Sequence, residues 1–183
     1  MNKNNYEPQT SSFWSNLFKN PTVMDELEDI LLSMPPFREL KEKPFYALLE
    51  LVHNRAYEEN EYVFYQGDPG IGLYIILDGE VSISQQFSTG KRFEITKLRK
   101  GDFFGEVALL DDETRSASAI TTKKSRLAVI FKPDLDEYMN KYPKDGVKIL
   151  RGISQIIAKR LRTINQDYYN LYSSNIILTK EEL

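Results

Sequence analysis

The sequence predicts an α+β chain, mainly β, with antiparallel strands in the middle and helices on both flanks. Two observations carry this. Between about residue 56 and Phe131, short runs of β-branched and aromatic residues are separated by turn signals. On either side, apolar residues recur three and four apart. By pattern alone the strands fit a small sandwich or barrel, and a jelly roll or an open sheet stays possible.

Residues 1–12 of the 183 are polar and read as a disordered lead-in. Phe13 with Leu17, and Trp14 with Phe18, then pair at helical i,i+4 spacing. Residues 1–20 are thus a flexible segment with an aromatic amphipathic patch. Pro21 ends it, Thr22 is the expected N-cap of the next helix, and Asp25 complements that helix's positive end. Val23, Leu27, Ile30, Leu31 and Met34 share one face until Pro35-Pro36 stops the helix. A further helix is expected from about Pro44, with Phe45, Leu48, Leu49 and Val52 inward. His53 reads as its last residue, near the negative end of the dipole.

Strands are expected at 62–65, 73–77, 80–87, 92–98, 117–121 and 127–131. Asp78-Gly79 between two of them is a hairpin signal. Helical spacing returns at Pro133, with a short helix over 134–140 and a long one from Asp145 to about Tyr172. In the long helix Leu150, Ile153, Ile157, Arg160, Ile164, Asp167 and Leu171 form a heptad seam, widened by Ile149, Ile156, Leu161 and Tyr168. A helix packed along its own barrel explains this seam; a seam projecting beyond the body would instead dimerise. The expected organisation is a domain over 21–172, with strands over about 56–131 and helices over 133–172, and a tail over 173–183.

Composition narrows the function. There is no Cys and one His. That rules out a Cys nucleophile, a thiolate zinc site and a two-His metal site. A cupin-like enzyme would need a cluster of His ligands. The expectation is a binding protein, not an enzyme, with no metal and no cofactor. The net charge of −3 argues against a general nucleic-acid binder. Lys141, Lys144, Lys148, Arg151, Lys159 and Arg162 bias the last helix towards basic, which reads as a solvated face and not a DNA site. No run approaches a membrane span, and no signal peptide is visible, so a cytoplasmic location is expected and a membrane partner is not.

One stretch carries chemistry: Gly101-Asp102-Phe103-Phe104-Gly105-Glu106-Val107-Ala108-Leu109-Leu110, then Thr114-Arg115-Ser116-Ala117. Phe103 and Phe104 anchor a loop in the core, and Gly105 allows close backbone approach. Residues 106–110 can form one helical turn whose first N–H groups are unpaired and favour an anion. Arg115 is suited to bidentate pairing with phosphate oxygens, and the small residues after it leave space. Glu106 repels phosphate but accepts from sugar hydroxyls. Together these groups match a phosphorylated sugar. The bland reading is a dipole-complementing Glu and a surface ion pair between Arg115 and the acidic run at 111–113.

The order of these residues resembles the phosphate-binding cassette of the cyclic nucleotide-binding domain family: Phe104-Gly105-Glu106-Val107-Ala108-Leu109, then Thr114-Arg115-Ser116-Ala117, with Thr114 where the family has Pro. Gly67-Asp68, Asp78-Gly79-Glu80-Val81, Gly101-Asp102 and the long terminal helix extend the likeness over roughly residues 37–170. The resemblance implies an eight-stranded antiparallel β-roll, jelly-roll-like, with N-terminal helices and a C-terminal lid and dimer helix. It assigns Glu106 to the ribose 2′-hydroxyl and Arg115 to the cyclic phosphate. Val107 and Ala108 N–H groups and the Ser116 hydroxyl complete the cradle, beside Gly105 and Ala117. Ala158-Lys159-Arg160-Leu161 resembles a lid stretch that implies a base contact from Arg160, with Asn165 a further candidate. Ser116 after the Arg favours cyclic AMP over cyclic GMP.

The implied function is a stand-alone cyclic nucleotide receptor that signals by lid-helix rearrangement to an unknown effector protein or to the other half of a homodimer. With the chain closing at Leu183, no DNA-binding domain is expected after the lid. The alternative is an interaction module of the same fold that no longer binds nucleotide.

Overall fold

The computed structural model describes residues 21–87, 90–110 and 113–181. The expected patch at 13–18 lies outside the described residues. The described residues begin with two helices, α1 (Pro21–Ser33) and α2 (Glu42–Leu49). Eight strands follow: β1 (Val52–Tyr57), β2 (Tyr62–Phe64), β3 (Gly72–Asp78), β4 (Glu80–Gln86), β5 (Arg92–Arg99), β6 (Phe103–Phe104), β7 (Ser118–Thr121) and β8 (Ser125–Phe131). A 3-10 turn, Val107–Leu109, lies between β6 and β7. Helices α3 (Lys132–Lys141) and α4 (Pro143–Glu181) end the fold.

The strands form two antiparallel four-stranded sheets, ordered β1-β8-β3-β6 and β2-β7-β4-β5. Tyr74, Ile76, Val81, Phe104, Ala119, Leu127 and Val129 pack between them. A second core lies between the first sheet and the helices, built on Leu31, Phe37, Phe45, Leu48, Ile75, Ile130, Leu135, Ile149 and Ile153. The period-2 alternation of β3 and β8 is masked because both their faces are buried.

Several expectations are corrected. Thr22 does not cap α1, because Pro21 already opens that helix. Val52 and His53 belong to β1, where they pair with Ile130 and Val129. The His53 ring lies 5.1 Å from that of Phe131, with its Nε2 3.7 Å from the Asp134 carboxylate. Pairing to β8 overrides the helical spacing there. Asp78-Gly79 does not close a hairpin either: β3 pairs with β6 and β8, while β4 pairs with β5 and β7. The backbone of Glu80 is held elsewhere, its N–H donating to Ser125 Oγ (3.2 Å) and its carbonyl accepting from the Thr122 N–H (2.9 Å). The turn at 122–125 thereby hands the chain from one sheet to the other.

Helix α4 divides in two. Its first half lies against the body, with Ile149 and Ile153 fully buried. Gly152 sits so close to α1's exit that a Cβ there would fall 2.3 Å from the Pro36 Cα. Lys148 Nζ donates to the Glu39 carbonyl at 3.0 Å. From Leu161 to Tyr172 every residue is exposed, and the helix runs on to Glu181, past the end expected at Tyr172.

Candidate functional site

Gly105 sets the geometry. It takes φ +79, a left-handed conformation that favours glycine, and a Cβ there would stand 2.7 Å from Arg115 Nη1. The carbonyl of Gly105 accepts from Arg115 Nη1 at 3.0 Å, and that of Gly72 accepts from Nη2 at 2.9 Å. The chain around Arg115 is fixed by its N–H donating to the Asp68 carbonyl (2.8 Å) and by the Arg115 carbonyl accepting from the Gly67 N–H (2.8 Å). Thr114 forms an antiparallel bridge with Pro69.

Arg115 is 4% exposed. Its guanidinium carbon lies 4.2 Å from the Phe64 ring centroid and 5.6 Å from that of Tyr74. Phe104 completes this floor, stacked on Tyr74 at 5.3 Å. Arg115 Nε is buried without a partner. Among the described residues it forms no ion pair, and both its acceptors are neutral carbonyls. Burial pulls the guanidinium below its ordinary value, with the neighbouring Tyr74, Glu106 and Asp68 opposing that shift. A buried guanidinium bonded only to neutral carbonyls keeps a strong attraction for an anion.

Beside it, the 3-10 turn uses the N–H groups of Leu109 (to Glu106 O, 3.1 Å) and Leu110 (to Val107 O, 2.9 Å). The N–H groups of Val107 and Ala108 precede these bonds and lie outside the turn's own pairing. Glu106 is 4% exposed, and its carboxylate accepts from Arg160 Nη1 of α4. Arg160 Nη2 also donates to the Phe103 carbonyl at 2.7 Å. Arg160 thus meets the assigned sugar acceptor in this arrangement. Ser116 is exposed, and its carbonyl accepts from Gln85 Nε2 at 3.3 Å. Ala117 is buried. Asn165 is exposed, and five residues along a helix turn it about 140° from Arg160, so the two do not share a face.

The structure thus gathers Gly105, Glu106, Val107, Ala108, Arg115 and Arg160, and leaves Asn165 apart. Sequence reasoning missed Phe64, Tyr74 and the Gly72 carbonyl as the seat of Arg115. Their signal was weak, since two aromatics in strands read as core. Among the described residues no cluster of His, Cys, Asp or Glu fits a metal, and no helix is long and apolar enough to cross a membrane.

Residues 54–142 match the family model described as the cyclic nucleotide-binding domain. The chain is 30% identical over 128 residues to the cyclic AMP receptor protein of Thermus thermophilus, covering 70% of this chain and 57% of that protein. It is 30% identical over 141 residues to the cGMP-dependent protein kinase, isozyme 2, of Drosophila melanogaster, covering 71% of this chain and 15% of the kinase. The crystal structure of a cyclic nucleotide-binding domain from Methylobacillus flagellatus superposes with TM-score 0.70 at 25% identity, covering 78% of this chain and 80% of that one. The chain therefore spans only part of the curated relatives it matches.

Proposed function

We propose, from the premise that residues 54–142 are a cyclic nucleotide-binding domain, that this chain is a non-enzymatic receptor for cyclic AMP that signals through α4. The observation that carries the proposal is Arg115, a buried guanidinium with a free Nε–H and only neutral acceptors. A cyclic phosphate would set its negative charge against this guanidinium, beside the N–H groups of Val107 and Ala108. Glu106 accepts the ribose hydroxyl. Because Arg160 already engages Glu106, a sugar arriving there changes the bond that holds α4 to the roll. Binding is thereby coupled to the helix, and through its exposed outer half to a second copy or an effector.

Cyclic AMP is preferred to cyclic GMP because Ser116 follows the Arg and because one relative is named a cyclic AMP receptor; the kinase relative makes cyclic GMP the necessary comparison. Calorimetry with each nucleotide tests the reading. Heat from cyclic AMP at micromolar concentration, at least tenfold tighter than from cyclic GMP, is expected. Arg115→Ala should weaken binding about 100-fold, the worth of a charge-assisted bond pair near 3 kcal/mol. No heat from either nucleotide would favour the interaction module instead.

A further inference from the structure

Met24 and Leu27 of α1, Tyr46 and Leu49 of α2 and Val52 of β1 line a recess of about 250 Å³, with Glu50 at its edge. It is smaller than the roughly 300–1,000 Å³ of a small-molecule pocket. Its walls are apolar, so it suits a hydrophobic side chain more than a metabolite. Tyr46 is 46% exposed, and its hydroxyl makes only a long 3.4 Å bond to Glu28. Glu28 foremost, then burial, with Glu42 and Asp25 adding, holds that hydroxyl above the usual phenol range. Glu28, bonded to that hydroxyl, and Glu50 at the edge make this side of the rim acidic, while Lys43 and Lys141 lie in the neighbouring recess beyond Tyr46.

We propose that residues 13–18 of the same chain seat their aromatic face in this groove. The segment carries Phe13, Trp14, Leu17 and Phe18, with Lys19 following. That is an apolar patch with a basic neighbour, the complement of an apolar groove with this acidic side to its rim. The tether is short. Only Lys19 and Asn20 separate Phe18 from Pro21, which opens α1. Leu27 is six residues further, about 9 Å along the helix. With 14–18 helical and 19–20 extended, Trp14 reaches up to about 16 Å from Pro21, enough to fold back over α1. A tether of this length gives a local concentration on the order of millimolar, which favours the chain's own segment over a free partner. The seat has a consequence for the far helix. The exit of α1 supports α4 through Pro36 against Gly152 and through Lys148 bonded to the Glu39 carbonyl. A filled groove would stiffen the base on which α4 rests.

The chain has no cysteine, so disulfide trapping is clean. The full-length double variant Trp14→Cys with Tyr46→Cys is oxidised beside the control Trp14→Cys with Tyr65→Cys, which places the second thiol on an exposed tyrosine elsewhere. The expected result is an intrachain disulfide forming at least tenfold faster in the first variant. In the otherwise unaltered chain, Trp14 emission should be blue-shifted and resist acrylamide. Met24→Glu should abolish both properties while the circular dichroism stays unchanged. Equal trapping rates, a solvent-exposed Trp14, or a disulfide-linked dimer as the main product each overturn the proposal, the last by showing that a second copy fills the groove. The readouts need no nucleotide, so they stand apart from the receptor reading.

Discussion

The guanidinium of Arg160, in the terminal helix, pairs with the buried carboxylate of Glu106, fifty-four positions earlier in the chain. Glu106 is nearly solvent-free while Arg160 is partly open, so removing the Arg leaves a buried carboxylate short of its donor. Such a loss costs about 1–3 kcal/mol. Arg160→Ala should therefore lower the melting temperature of the nucleotide-free chain by roughly 3–10 °C. In a double-mutant cycle with Glu106→Gln the two losses should fall short of additive by about 1 kcal/mol. Strict additivity would show that the pair does not hold α4 to the roll.

Both residues of that pair stand out in the sequence, but their meeting does not. Glu106 is marked by the Phe104-Gly105-Glu106 order and Arg160 by breaking an aliphatic seam. Heptad position says that Arg160 faces inward without saying what it faces. Six strands are legible because turn residues bracket them, whereas β6 is two residues long and β1 continues the apolar spacing of α2. Asp78-Gly79 misleads for a tertiary reason. Its local chemistry suits a hairpin, yet Ser125 and Thr122, over forty residues away, capture Glu80 first. Likewise the aromatic seat of Arg115 draws Phe64 and Tyr74 from two different sheets, which no local spacing encodes.

Gly105→Ala tests how closely the loop and Arg115 fit. The left-handed backbone alone costs an alanine about 1–2 kcal/mol. The new Cβ would also stand 2.7 Å from Arg115 Nη1 and 2.9 Å from the Gly72 carbonyl, so the guanidinium must move. Nucleotide affinity measured by calorimetry should fall at least tenfold, with the melting temperature lowered as well. A variant that melts early yet binds normally would dissociate Arg115 from the phosphate.

Acid stability should follow the carboxylates with depressed pKa values. The Thr122 hydroxyl and then the Arg99 guanidinium, with Lys123 adding, hold Glu80 below its usual range. Bonds from Lys100 and Arg126 do the same for Glu26, fastening α1 to the strand region. Folding lowers both values, so the unfolded chain binds protons first as pH falls. Their stabilisation is complete above the ordinary carboxylate value near ~4.3 and is lost as pH drops through the folded-state values. Melting temperature against pH should show this decline below about pH 4.3. Glu80→Gln should start lower at pH 7 and decline less steeply. An unchanged acid limb in that variant would remove Glu80 from the account.

The outer half of α4 sets the last expectation. Leu161 is 55% exposed, Ile164 59%, Tyr168 69% and Leu171 63%, on a helix whose inner half is buried against its own body. A seam that is apolar but uncovered costs solvation at every turn, and a second identical helix covers it with the same seam. The chain should therefore sediment at twice its 21.3 kDa at micromolar concentration. Ile164→Glu combined with Tyr168→Glu should yield monomers with unchanged melting of the roll, because neither side chain belongs to either core. Asp167, in the same seam, places a charge where the apolar face would close, and Asp167→Leu should tighten the dimer. If sedimentation finds a monomer in all three chains, the exposed seam serves a different protein, and α4 reports nucleotide binding outside the homodimer.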